Sequence, residues 1–217
     1  GCEKGRQDLQ EPGAQYSVVY LDFGGAAYDP NYGYGAKLFQ QYTFWPTANL
    51  EESSFQFAKG YYDCSNGDND SRLVLALSIN NSNYFGDFSQ EHGVAWGEMI
   101  RSLYNRLKNP TTCQPNNGCV IGTKVTPAAG GDFELNYNSY DNTFMWILGY
   151  MMGVQDPATQ LWRGGFYDFG DASGCPFTSG FNYDWNYACD NGWYQDDVIN
   201  ISDKLPGIKA NVLPEIY

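Results

Sequence analysis

Ser17-Val18-Val19-Tyr20-Leu21-Asp22-Phe23, followed by Gly24-Gly25, is the stretch on which the reading of the fold turns. It is nearly all apolar and too short for a core helix. Its one acid comes at the end, just before a glycine pair. A parallel strand buried on both faces has this form. Working outward, 55–62 and 72–79 read as the second and third strands, the second ending at Asp63 and the third followed by Asn80-Asn81-Ser82. Residues 118–129 read as a fourth strand interrupted by Pro127, 161–169 as a fifth, 197–202 as a sixth and 212–217 as a seventh. A short helix is expected near 35–42. The clearest helix begins at Ser89, where Trp96, Met99, Ile100, Leu103 and Leu107 form an apolar stripe, and it stops at Asn109-Pro110. Another is expected over 142–152. Residues 1–15 are polar and read as an N-terminal arm, leaving 16–217 as one domain.

Strands alternating with helices or long loops predict an α/β fold with a parallel sheet. Asp22, Asp63, Asn80, Asp132 with Glu134, Asp168 and Glu215 all fall at or near expected strand ends. In a β/α barrel the C-terminal ends of the strands carry the active site, so the recurrence favours a TIM-like barrel. The same acids also serve as ordinary strand terminators. Seven strands are one short of a closed barrel. An incomplete chain, the arm, a partner or an unrecognised strand would account for the eighth.

The 217 residues suit one domain with a real core. The net charge of −13 argues against nucleic acid, whose binding needs clustered Lys and Arg, and against anionic membrane surfaces. No apolar run approaches the roughly 18 residues of a membrane span. Six cysteines without metal-site spacing read as disulfides formed in an oxidising compartment. Cys113 and Cys119 flank a turn sequence, Cys175 and Cys189 form a second pair, and Cys2 is left with Cys64; other connectivities stay open. A secreted or cell-surface location follows. No signal peptide is read at the N-terminus, so a mature form is expected, and Gly1-Cys2 is also compatible with a lipoprotein anchor at Cys2. Asn69, Asn80 and Asn200 head Asn-x-Ser sequons.

Asp132-Phe133-Glu134 carries the strongest chemical signal. In a strand, residues two apart share a face at about 6.5–7 Å, and two carboxylates so placed push their proton affinities apart. A proton donor then stands beside a charged stabiliser, as glycosidic cleavage requires. Tyr137, Tyr167, Trp185, Trp193 and Tyr217 offer aromatic faces for sugar rings near strand ends, with Asp168 and Glu215 for hydroxyls; large aromatics also fill cores. Asp63 to Asp70 is rich in oxygen ligands, but the EF-hand glycine and glutamate positions hold Asp68 and Val74, so a solvated turn is expected. His92, the only histidine, stands at a helix start and reads as a surface or capping residue. No metal or cofactor is expected: one histidine and paired cysteines make no zinc site, and glycine-rich phosphate fingerprints are absent.

Gly131-Asp132-Phe133-Glu134-Leu135-Asn136-Tyr137 resembles the Asp-x-Glu element that muramidase- and chitinase-type glycoside hydrolase barrels carry at the end of the fourth strand. The opening Val19-Tyr20-Leu21-Asp22 is similar to the first strand of muramidase-type barrels. Residues 166–176 and 213–217 resemble stretches of secreted bacterial glycoside-hydrolase-like barrels, in which the chain runs on past Pro-Glu-Ile-Tyr. The resemblance implies Glu134 as acid/base, Asp132 as its orienting or stabilising partner and Asp22 as a second carboxylate in the cleft. Chitinases have further acids upstream of the pair, where this chain has Ala128, Ala129 and Gly130, so substrate-assisted chemistry is not implied. The expectation is a protein that cleaves or binds an extracellular polysaccharide or peptidoglycan glycan. The rivals are a silent carbohydrate-binding barrel and a structural subunit that self-assembles through an open sheet edge.

Overall fold

A computed structural model describes residues 1–39, 41, 43–82, 86–111, 120–171, 173–175, 187–202 and 210–212. The described strands form one seven-stranded sheet in the order β3-β2-β1-β4-β5-β6-β7. β1 (Tyr16–Asp29) sits inside it, with β4 (Arg72–Asn80) as its parallel neighbour. β5 (Val125–Asp132), β6 (Phe166–Asp168) and β7 (Ala210–Val212) follow, each parallel to the one before. On the other side of β1, β2 (Gly33–Lys37) and β3 (Phe44–Pro46) add antiparallel. The chain is therefore mixed α/β with a largely parallel sheet.

The expected short helix near 35–42 is replaced by β2. Gly35 explains the difference: a Cβ there would lie 2.0 Å from the Trp45 carbonyl oxygen, so the glycine lets β2 and β3 close on each other. The expected second strand at 55–62 lies within a helix, α2 (Thr47–Cys64). Its aromatic content suggested a strand, but the buried residues Leu50, Ser54, Phe55, Ala58 and Tyr61 recur at helical spacing. Asp63 accordingly ends a helix rather than a strand and pairs with Lys59 one turn back. The expected sixth strand at 197–202 is also helical, in α5 (Gln195–Ser202), where Val198 and Ile201 turn one face to the core. Residues 213–217 of the expected seventh strand lie outside the described residues.

The helices α3 (Ser89–Lys108) and α4 (Tyr140–Val154) agree closely with the sequence reading. Leu73, Leu75, Leu77 and Ile79, alternating along β4, share one core with Leu50 and Phe55 of α2, Trp96 and Ile100 of α3, and Trp146 and Tyr150 of α4. Glycines bring α3 and α4 together. A Cβ on Gly93 or Gly97 would lie 2.0 Å from the Trp146 or 2.4 Å from the Tyr150 carbonyl oxygen. Gly149 and Gly153 approach the Gln90 and Val94 carbonyls in the same way. Arg101 of α3 donates to the Gly153 and Gln155 carbonyls, satisfying the C-terminal end of α4.

His92 is a correction. It is fully buried rather than on the surface. Its Nδ1 accepts from Trp146 Nε1 at 2.8 Å, so its Nε2 carries the proton toward the Gly35 carbonyl oxygen at 2.7 Å. Burial lowers its pKa to about 4.

The polar lead-in contains α1 (Cys2–Gln10), which is fixed to α2. Cys2 and Cys64 are disulfide-bonded, and Tyr61 donates its hydroxyl proton to the buried carboxylate of Asp8 at 2.8 Å. The bond to Cys64 occupies the sulfur that a lipid thioether at Cys2 would use. Cys175 and Cys189 form a second disulfide, as expected. The expected Cys113–Cys119 bond lies outside the described residues. No helix among the described residues is long and apolar enough to cross a membrane.

Candidate functional site

The face of the sheet away from the helices can be followed from register. Asp22, Ser78, Gly130, Tyr167 and Asn211 are consecutive partners across β1, β4, β5, β6 and β7, and Asn80 pairs with Asp132 one step further on. These positions are at or near the C-terminal ends of the parallel strands. With strands about 4.8 Å apart and a rise of about 3.3 Å per residue, the Asp22 and Asp132 Cα atoms stand roughly 12 Å apart. Gly130 keeps the row open: a Cβ there would lie 1.9 Å from Ser78 Oγ and 3.5 Å from the Phe169 ring. Tyr20, two residues before Asp22, lines the same face, with the rings of Phe169 and Tyr167 at 4.5 and 6.3 Å.

Asp22 lies where β1 loses its regular pairing. The register with β4 shifts between Asp22 and Gly25, and the Gly24 amide donates to Asp22 Oδ1 at 3.0 Å. Gly24 has φ +105°, the left-handed conformation this irregularity needs. Burial raises the Asp22 pKa to about 6, against the smaller opposing effect of the Gly24 amide. The Tyr20 hydroxyl is pushed up to about 12, first by burial and then by Tyr167 and Asp168, so it stays protonated.

Asp132 is the last residue of β5, and Glu134 follows in the loop, so the pair is not within a strand as expected. The alternation nevertheless continues: Phe133 and Leu135 are in the core, while Asp132 and Glu134 are half-buried. Asn81 fixes this segment. Fully buried after β4, it accepts from the Glu134 amide at 3.0 Å and donates to the Glu134 carbonyl at 3.1 Å and to Thr143 Oγ1 at 3.0 Å. Sequence reading stopped at Asn80 as a strand end and missed this clamp; two asparagines directly after an apolar strand were the available signal. Asn80 is itself nearly buried, so its sequon is not presented at the surface, whereas Asn69 is exposed.

The other expected site residues disperse. Tyr167 is in the row. Asp168 is one step out of it, beside Gly131 and Val212, nearly buried and accepting from the Gly170 amide at 3.3 Å. Tyr137 is exposed in the turn after Glu134, whose carbonyl accepts its amide at 3.2 Å. Trp193 is a correction: it is fully buried, donates Nε1–H to the Asn138 carbonyl at 2.8 Å and packs edge-on against Tyr140. It holds the loop after β5 and offers no face to a sugar. Trp185, Glu215 and Tyr217 lie outside the described residues.

At the opposite end of the strands, an open cleft of about 340 Å³ is lined by Asp8, Glu11, Asp68 and Asp70, among others. Asp68 Oδ1 accepts from the Asp70 and Ser71 amides, the solvated turn read from the sequence. Among the described residues no group of three His, Cys, Asp or Glu is placed to hold a metal ion. No protein-family model, curated protein or solved structure matches this chain.

Proposed function

We propose that the chain is a secreted glycoside-hydrolase-like protein that cleaves an extracellular polysaccharide or peptidoglycan glycan at the C-terminal ends of its parallel strands. The observation that carries this reading is Asp22, a half-buried carboxylate with a raised pKa on the same sheet face as Asp132. A group that keeps its proton to about pH 6 is suited to protonate a glycosidic oxygen, and an ionised carboxylate opposite it stabilises the developing positive charge on the sugar. In this scheme Asp22 takes the proton-donor role that the resemblance implied for Glu134, and Asp132 and Glu134 become the partner carboxylates. Two disulfides fit an oxidising exterior. Strand order supports a barrel-type architecture: β1, β4, β5, β6 and β7 follow one another around the sheet in chain order, with helices between them, as in an arc of a β/α barrel.

Reducing-end release from a panel of polysaccharides and peptidoglycan glycan tests the reading. Asp22→Asn and Glu134→Gln are each expected to lower turnover by roughly 10²–10⁴-fold with binding retained. An aryl glycoside whose leaving group needs no proton should rescue Asp22→Asn and not Glu134→Gln. Binding without turnover in the unaltered protein would leave a carbohydrate-binding module. Neither binding nor turnover, with concentration-dependent sedimentation, would leave a structural subunit. Strand addition at the β3 edge is disfavoured by its length of three residues and by Pro46.

A further inference from the structure

The chain carries the dipeptide Asn-Gly at Asn66-Gly67, Asn117-Gly118 and Asn191-Gly192. An asparagine before glycine is open to attack by the chain itself, because glycine has no side chain to shield its backbone nitrogen from the neighbouring carboxamide. Asn117-Gly118 lies outside the described residues. The other two stand in opposite surroundings. Asn66 and Gly67 are exposed in the turn after α2, which the Asp68 amide closes by donating to the Ser65 carbonyl at 3.1 Å. Gly67 has φ +103°, the left-handed value that a type II turn takes at its third residue. A Cβ built on Gly67 would meet nothing within 4 Å, so the space around it is open. Among the described residues no hydrogen bond engages the Asn66 carboxamide or the Gly67 amide. Asn191 is exposed as well, but it is tied down. Its Nδ2 donates to the Leu135 carbonyl at 3.0 Å. Its backbone sits at φ 54°, ψ 29°, which turns the Cα–Cβ bond nearly opposite the Gly192 nitrogen.

We propose that Asn66 is a spontaneous modification site of the folded protein, converted to isoaspartate and aspartate through a cyclic imide, and that the fold protects Asn191 from the same reaction. The Gly67 nitrogen gives up its proton and bonds to Cγ of Asn66, and the Asn66 Nδ2 leaves as ammonia. The five-membered imide is then opened by water. Opening at Cγ gives aspartate; opening at the main-chain carbonyl routes the backbone through the side chain and gives isoaspartate. The net change is carboxamide plus water to carboxylate plus ammonium, with water the only co-reactant. At Asn66 only bond rotation in solvent precedes the attack. At Asn191 the bond to Leu135 must break and the backbone must leave its left-handed well first. The product places a new negative charge next to Gly67 and Asp68, on the wall of the acidic cleft, and just past the C-terminal end of α2, where the helix dipole disfavours it. The inference is independent of what the chain binds or cleaves.

Incubation of the full, disulfide-bonded chain at pH 8 in heavy-oxygen water, followed by peptide mapping, tests it. Each conversion leaves one solvent oxygen in the peptide, which marks it against the natural sequence. In the folded protein, label is expected at Asn66 at least tenfold faster than at Asn191. In the chain unfolded by guanidinium chloride with its disulfides reduced, the two sites should react at similar rates, because both are then plain Asn-Gly. Isoaspartate and aspartate should both appear at Asn66, since the imide opens at either carbonyl. Equal rates at the two sites in the folded protein would overturn the inference, as would faster labelling at Asn191. A folded chain that leaves Asn66 unlabelled while the unfolded chain labels it would show that the turn protects it, and would also overturn the inference. A gap that persists after unfolding would remove the fold as the cause. Aspartate without isoaspartate would replace the cyclic route by direct hydrolysis and overturn the mechanism.

Discussion

An aspartate that holds its proton to about pH 6 is costly to keep ionised, and Asp22 carries that cost at neutral pH. Its folded-state pKa is raised above the ordinary 3.8, so it favours the folded state below about pH 4 and that contribution is lost as pH rises through about 6. Asp22→Asn keeps an oxygen for the Gly24 amide and removes the charge. Measured by denaturant titration, the variant should match the unaltered protein near pH 4 and exceed it by about 3 kcal/mol above pH 7. Equal stabilities at pH 8 would show that Asp22 ionises freely. His92 has the opposite sign: its pKa is lowered by burial, so its contribution is full above about 6.5 and falls away as pH drops through about 4. Asp22 stood out as a candidate because an acid at the end of an apolar run is conspicuous. His92 did not, because its role depends on Gly35 and Trp146, partners more than 50 positions away that no local pattern reveals.

The α3–α4 contact is built by Gly93, Gly97, Gly149 and Gly153, two pairs with four-residue spacing. Replacing a solvent-facing helical glycine with alanine normally stabilises a helix by about 1 kcal/mol. Gly97→Ala should do the reverse, because its Cβ would meet the Tyr150 carbonyl at 2.4 Å and the Val154 amide at 2.6 Å. The helices must separate, and a loss of about 1–3 kcal/mol in chemical denaturation is expected; a gain would show that they slide apart freely. α3 was readable because its apolar stripe is long and stops at Asn109-Pro110. The segments misread as strands, 55–62 and 197–202, are short and rich in aromatic or β-branched residues. There helical packing against the core overrode local preference. The two-residue alternation of Asp132 and Glu134 continues past the end of β5, and what holds it, Asn81, belongs to another strand's end.

Across the whole molecule, the Cys2–Cys64 bond closes 62 residues. Removing it with the pair Cys2→Ser/Cys64→Ser should cost about 4 kcal/mol, read as a lower midpoint in guanidinium chloride. A loss below about 1 kcal/mol would mean that Tyr61 and Asp8 already hold α1 in place. The sheet has a further property in its connectivity. β1 accepts the β2–β3 hairpin on one side and β4 on the other, and from β5 onward each described strand docks beside the one made just before it. None of the described strands has to be inserted between two that are already paired. A chain emerging from the ribosome or a translocation pore can therefore fold vectorially. Residues 2–64 form a covalently closed unit, and each later strand–helix pair condenses on the surface left by its predecessor.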